Sequence, residues 1–106
     1  MKGRSAALEP IVVRLKSATR ELAPLYVERC RADVARMKDD LDRNDFKALH
    51  GTGHTIKGTG GSYGFYEMTR IAAGIETAAA ASDRDRLQSL LAQLERYLER
   101  VKLEFE

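Results

Sequence analysis

Apolar residues recur every three or four positions along most of this 106-residue chain, and that spacing limits its fold more than any other feature. Val27, Cys30, Val34, Met37 and Leu41 form one such stripe, with charged residues filling many of the positions between. Met68, Ile71, Ala72, Ile75 and Ala79 form another, on a helix expected from about Phe65 to Ala81. Leu87, Leu90, Leu91, Leu94, Tyr97, Leu98, Val101 and Phe105 form a third. Leu8, Ile11, Val12 and Leu15 form a shorter one, with Pro10 suited to a first helical turn. Phe46, Leu49, Gly53, Ile56 and Gly60 share one face of a further helix, expected over about 45–62. Asn44-Asp45 reads as the turn and N-cap before it, and Ser82 with Asp85 reads as a capping box. No alternating strand pattern and no hairpin dipeptide stands out. The expected fold is all-α: an antiparallel four-helix bundle with an additional short N-terminal helix over Leu8–Leu15.

Composition narrows the function classes. The length fits one domain, residues 1–106. The net charge is +2, with basic and acidic residues interspersed, so no basic stripe points to nucleic acid. A single cysteine, Cys30, fits a reducing compartment, and its place on an apolar stripe predicts a buried, inert thiol. No apolar run approaches the roughly 18 residues of a membrane span, and Met1–Pro10 lacks the apolar core of a signal peptide. A cytoplasmic protein is expected, and a monomer suffices.

Six of the eight glycines fall between Gly51 and Gly64, inside and at the end of the helix expected over 45–62. Each interior glycine costs a helix about 1 kcal/mol relative to alanine, so something other than packing requires bare backbone there. A second face of that helix carries His50, His54, Lys57, Gly58 and Gly61. With no aliphatic residue, it should be exposed. A neutral imidazole has a free lone pair that can attack phosphorus and form a phosphoramidate. Lys57, one turn along, offers an ammonium to the new negative charge. Gly58 and Gly61 leave room for a bulky partner. A solitary helical histidine usually has no role, but His54, Lys57, Gly58, Gly61 and Gly64 together are hard to attribute to packing. His50 and His54 lie one turn apart, yet no further ligand is fixed beside them, so a metal pair is the weaker reading. The order Lys-Gly without a preceding strand is not a nucleotide P-loop. Tyr63 and Phe65 read as core or helix-boundary residues, with Phe65 within reach of the exposed face. Arg29 and Arg31 read as solvated, with a lesser chance that one lies near the phosphoryl group.

The pattern His54-Thr-Ile-Lys57-Gly58, followed by Gly64 ten residues after the histidine, resembles the histidine-containing phosphotransfer domain. Leu22 to Arg31 resembles the opening of that family's second helix, and Asn44-Asp45-Phe46 precedes the motif helix as expected. The phosphoacceptor domain of chemotaxis kinases is similar too. The resemblance implies that His54 is the phosphoacceptor, through Nε2. It implies that Lys57 assists electrostatically, that Gly58 admits a receiver domain, and that Gly64 serves the helix end. Gly61 and His50 would flank the docked partner, with Leu8, Ile11 or Val12 contributing apolar contacts. It implies a phosphoryl carrier with no kinase or phosphatase machinery and no cofactor of its own, Mg²⁺ coming from the partner receiver. The partners implied are response-regulator receiver domains, a sensor histidine kinase, or both. Two alternatives stand beside the relay: an acceptor phosphorylated by a separate ATP-binding kinase domain, and a helical adaptor whose site has degenerated.

Overall fold

The structure, a computed structural model, describes residues 9–106. Four helices form where the apolar stripes require them. Helix α1 (Ala23–Asp42) has Pro24 in its first turn and buries Val27, Cys30, Val34, Met37 and Leu41. Helix α2 (Phe46–Tyr63) buries Leu49, Gly53, Ile56 and Gly60. Helix α3 (Tyr66–Ala80) buries Met68, Ile71, Ala72 and Ile75, with Ala78 and Ala79. Helix α4 (Arg84–Arg100) buries a leucine-rich stripe with Tyr97. Each helix packs on its neighbours in chain order, and α4 returns to α1, so the apolar faces close on one core. Arg84, at the start of α4, donates to the Leu41 carbonyl at the end of α1. Arg31, near the start of α1, donates to the Leu98 carbonyl at the end of α4, 2.8 Å away. These contacts show α1 and α4 running antiparallel.

The connections use turn chemistry at defined positions. Asn44 takes the left-handed conformation, φ 55°, and Asp45 then caps α2 by accepting from Ala48 N–H at 3.1 Å. The α3–α4 link repeats the device: Ser82 has φ 54° and Asp83 accepts from Arg86 N–H at 3.2 Å. Ser82 is therefore not the cap expected from the sequence. With positive φ it turns the chain, and the following aspartate does the capping. Gly64 ends α2 at φ 98°, and Phe65 N–H reaches back to the Gly60 carbonyl at 2.9 Å. Phe65 is wholly buried, so it belongs to the core and does not reach the exposed face.

The expected N-terminal helix is replaced by a strand. Ile11–Leu15 form β1, and Val101–Phe105, expected to continue the last helix, form β2. The two pair in parallel, Ile11 with Val101 through Leu15 with Phe105. Leu8 lies outside the described residues. The packing explains the change. A helix would direct Val101 and Phe105 to the core but carry Leu103 off it, whereas a strand puts all three on one face. Ile11, Val13, Val101, Leu103 and Phe105 all pack on the bundle core, and Leu15 is buried in it. The run Ile11-Val12-Val13 is β-branched throughout, which favours the extended chain. A two-stranded sheet is marginal alone and here depends on the bundle beneath it.

Gly64→Ala forces a Cβ into the left-handed region and should destabilise the protein by about 1–2 kcal/mol in urea unfolding. An unchanged midpoint would show that another residue adapts to that turn without strain.

Candidate functional site

The exposed face of α2 carries the predicted residues. The His54 side chain is 66% exposed, His50 is also exposed, and Lys57 is partly covered. A methyl group added at Gly58 would meet no atom within 4 Å. One at Gly61 would meet only Thr69 Oγ1, at 3.8 Å. The backbone at both positions therefore lies open beside the imidazole. Ile11 lines a shallow pocket with Ile71, Tyr97 and Arg100. Burial pushes the Cys30 thiol up to about 11, and Tyr26 beside it lowers it only in part, which keeps the sulfur protonated and unreactive.

The residue that organises this face comes from α3 and was not foreseen. Glu76 Oε2 lies 2.8 Å from His54 Nδ1, and Glu76 Oε1 lies 2.7 Å from Lys57 Nζ. His50 Nε2 stands 3.8 Å from the same carboxylate, outside hydrogen-bond range. The hydrogen bond from Lys57, and then that from His54, holds the Glu76 carboxyl below the ordinary carboxylate range. Ionised, it can only accept. Nδ1 must then carry the proton and donate it to Glu76. In the neutral imidazole the lone pair is left on Nε2, at the ring position away from Glu76. Lys57 is thus engaged on the Nδ1 side of the ring.

Gly53 explains how Glu76 reaches the imidazole. A methyl group there would lie 3.0 Å from Glu76 N and 3.1 Å from the Ala72 carbonyl oxygen. Bare backbone at Gly53 lets α3 lie directly against α2, one residue from His54. The sequence held a signal for this. Counting equally outwards from the Gly64–Phe65 turn sets Gly60 opposite Thr69 and Gly53 opposite Glu76, and both pairs are in close contact. Gly51 has open space around it, so contact between helices does not account for it.

A family model of the Hpt domain matches residues 21–104. The chain belongs to the Hpt domain family. In the same comparisons no curated protein and no solved structure matches it. Hpt domains are phosphocarriers rather than enzymes and work with receiver domains or histidine kinases. This family member therefore has a histidine phosphotransfer role in phosphorelay signalling. No helix among the described residues is long and apolar enough to cross a membrane. Nor does any cluster of three or more His, Cys, Asp or Glu side chains among them have the disposition to hold a metal.

Gly53→Ala should drive α3 outward by a few tenths of an ångström and cost about 1–3 kcal/mol of stability. It should also weaken the His54–Glu76 hydrogen bond, seen as a changed Nδ1 shift in the imidazole ¹⁵N spectrum. A stable variant with an unaltered imidazole spectrum would contradict the close-approach argument.

Proposed function

We propose that His54 accepts a phosphoryl group on Nε2 from the aspartyl phosphate of a docked receiver domain and returns it to a second receiver. The observation that carries this reading is the Nδ1 bond to Glu76, which leaves the other ring nitrogen available on a face without bulky side chains. The Nε2 lone pair attacks phosphorus, the Nε2–P bond forms, and the acyl-phosphate P–O bond breaks. The partner's aspartate leaves as a carboxylate. The imidazole gains positive charge, and its Nδ1 proton stays against Glu76, which stabilises that charge. Lys57 keeps Glu76 ionised and, one turn along α2 from His54, adds positive charge on the side where the phosphoryl group forms. Gly58, Gly61 and His50 border the docked partner, which would supply the Mg²⁺ and the acidic cluster that binds it. Positioning and charge stabilisation dominate phosphoryl transfer, so a carrier needs little covalent machinery of its own.

Glu76 also lends weight to a second reading, in which a separate kinase domain loads His54 from ATP. A phosphoanhydride is a weaker phosphoryl donor than an acyl phosphate, so a carboxylate that primes the imidazole serves it more.

Intact mass after mixing with a phosphorylated receiver and Mg²⁺ tests the assignment. Wild type should gain one phosphoryl group, labile in acid and stable in base, and His54→Gln none. Uptake by His54→Gln would overturn it. Loading by a kinase domain with ATP, and by no receiver, would favour the second reading. Glu76→Gln should slow loading about tenfold or more at saturating donor, because the neutral amide no longer fixes the Nδ1–H form or stabilises the imidazolium. A wild-type rate would remove Glu76 from the mechanism.

A further inference from the structure

Strand β2 has one edge without a partner. Among the described residues the sheet has two strands, and β1 covers one side of β2. Glu106 N–H donates to the Leu15 carbonyl at 3.0 Å. Successive residues of a strand turn their N–H and C=O groups to opposite edges, so Lys102, Glu104 and Glu106 face β1. Val101, Leu103 and Phe105 turn theirs to the open edge. The Val101 N–H is held by the Tyr97 carbonyl. No other backbone group among the described residues reaches the N–H groups of Leu103 and Phe105. An edge of this kind is a template for a further strand.

The side chains specify which strand fits. The sequence Val101-Lys102-Leu103-Glu104-Phe105 complements itself when it is reversed about Leu103. In an antiparallel pair of two β2 strands centred there, Leu103 lies opposite Leu103, Val101 opposite Phe105, and Lys102 opposite Glu104. The first two are hydrogen-bonded pairs, as the direction of their backbone groups requires. Lys102 and Glu104 form the non-hydrogen-bonded pairs, whose side chains come closer together. Other registers fail. A shift of one sets apolar side chains opposite charged ones. A shift of two sets lysine against lysine or glutamate against glutamate. Lys102 is exposed and makes no ion pair among the described residues. Glu104 is partly exposed and is reached only by Arg14, at 3.4 Å. The edge of β1 lacks this symmetry: reversed about Val13, it sets Val12 against Arg14.

We infer that β2 is the interface between two copies of this chain, paired antiparallel about a two-fold axis through Leu103. The strands then run β1-β2-β2-β1 as one sheet across two bundles. A two-stranded sheet is marginal, and joining two of them extends one apolar face over both cores. A five-residue edge is short for a permanent dimer, so the association is transient and depends on concentration. The sheet lies by the C-terminal end of α2, where Leu15 packs against Gly64, more than two turns from His54. Each copy keeps its His54 exposed. The inference does not depend on how His54 is loaded.

Sedimentation of the 106-residue chain from about 10 μM to about 1 mM should show a monomer–dimer equilibrium. K102E and E104K should each raise the dissociation constant about tenfold or more, because both cross-strand pairs become repulsive. Both should fold as wild type does by circular dichroism, since Lys102 has no recorded ion pair and the Arg14–Glu104 pair is exposed. The double variant K102E/E104K reverses each pair and should return to within about threefold of wild type. The losses should shrink near 1 M salt, where the screening length is about 3 Å. Raising the concentration should slow amide exchange at Leu103 and Phe105 and leave Val12 and Arg14, on the β1 edge, unchanged. A monomer at every concentration would overturn the inference, as would a dimer that both single variants leave intact. Failure of the double variant to regain the dimer would overturn it too. Protection of Val12 and Arg14 in place of Leu103 and Phe105 would assign the contact to β1 and also overturn it.

Discussion

Helix α3 lies against α2 at Gly53 closely enough that a methyl group there would sit 3.0 Å from the Glu76 backbone. The rest of the site depends on that approach. A wider spacing would leave Glu76 short of His54, and with it the bond that sets the proton on Nδ1 and the lone pair on Nε2. Lys57 would lose its partner as well. The glycine costs helix stability, and packing of the α3 stripe against the core offsets that cost. Tertiary packing here places a carboxylate that local structure alone could not bring to the imidazole.

A carrier must satisfy two opposing demands. Its nucleophile has to be exposed enough for another protein's phosphoryl group to reach it, and exposure leaves an imidazole free to rotate and change tautomer. The structure meets both with one asymmetric arrangement. One flank of His54 is held by Glu76 and Lys57, and the other is open over Gly51 and Gly58. The bundle supplies rigidity without covering the ring, since its core lies on the opposite side of α2, at Leu49, Ile56 and Gly60.

Much of this was legible in the sequence. The 3-4 spacing of apolar residues located all four helices, and the positions of His54, Lys57 and Gly58 on one open face followed from the helical period. The strands β1 and β2 were not legible, because Ile11 and Leu15, or Val101 and Phe105, lie four apart and satisfy a helix and a strand equally. What decides between them is Leu103 and Val13, which only an extended chain brings to the core, and that requires the two termini to meet. Glu76 was hidden for a related reason. It sits among alanines on a helix whose own pattern gives it no role. Its role appears only when the hairpin about Gly64 is counted outwards to Gly53.

Glu76 fixes which nitrogen of His54 carries the proton. Long-range ¹H–¹⁵N correlation on imidazole-labelled protein, before and after phosphorylation, tests it most directly. An Nδ1–H tautomer in the neutral side chain and phosphorus coupling to Nε2 in the product are expected. An Nε2–H tautomer, or phosphorus on Nδ1, would contradict it.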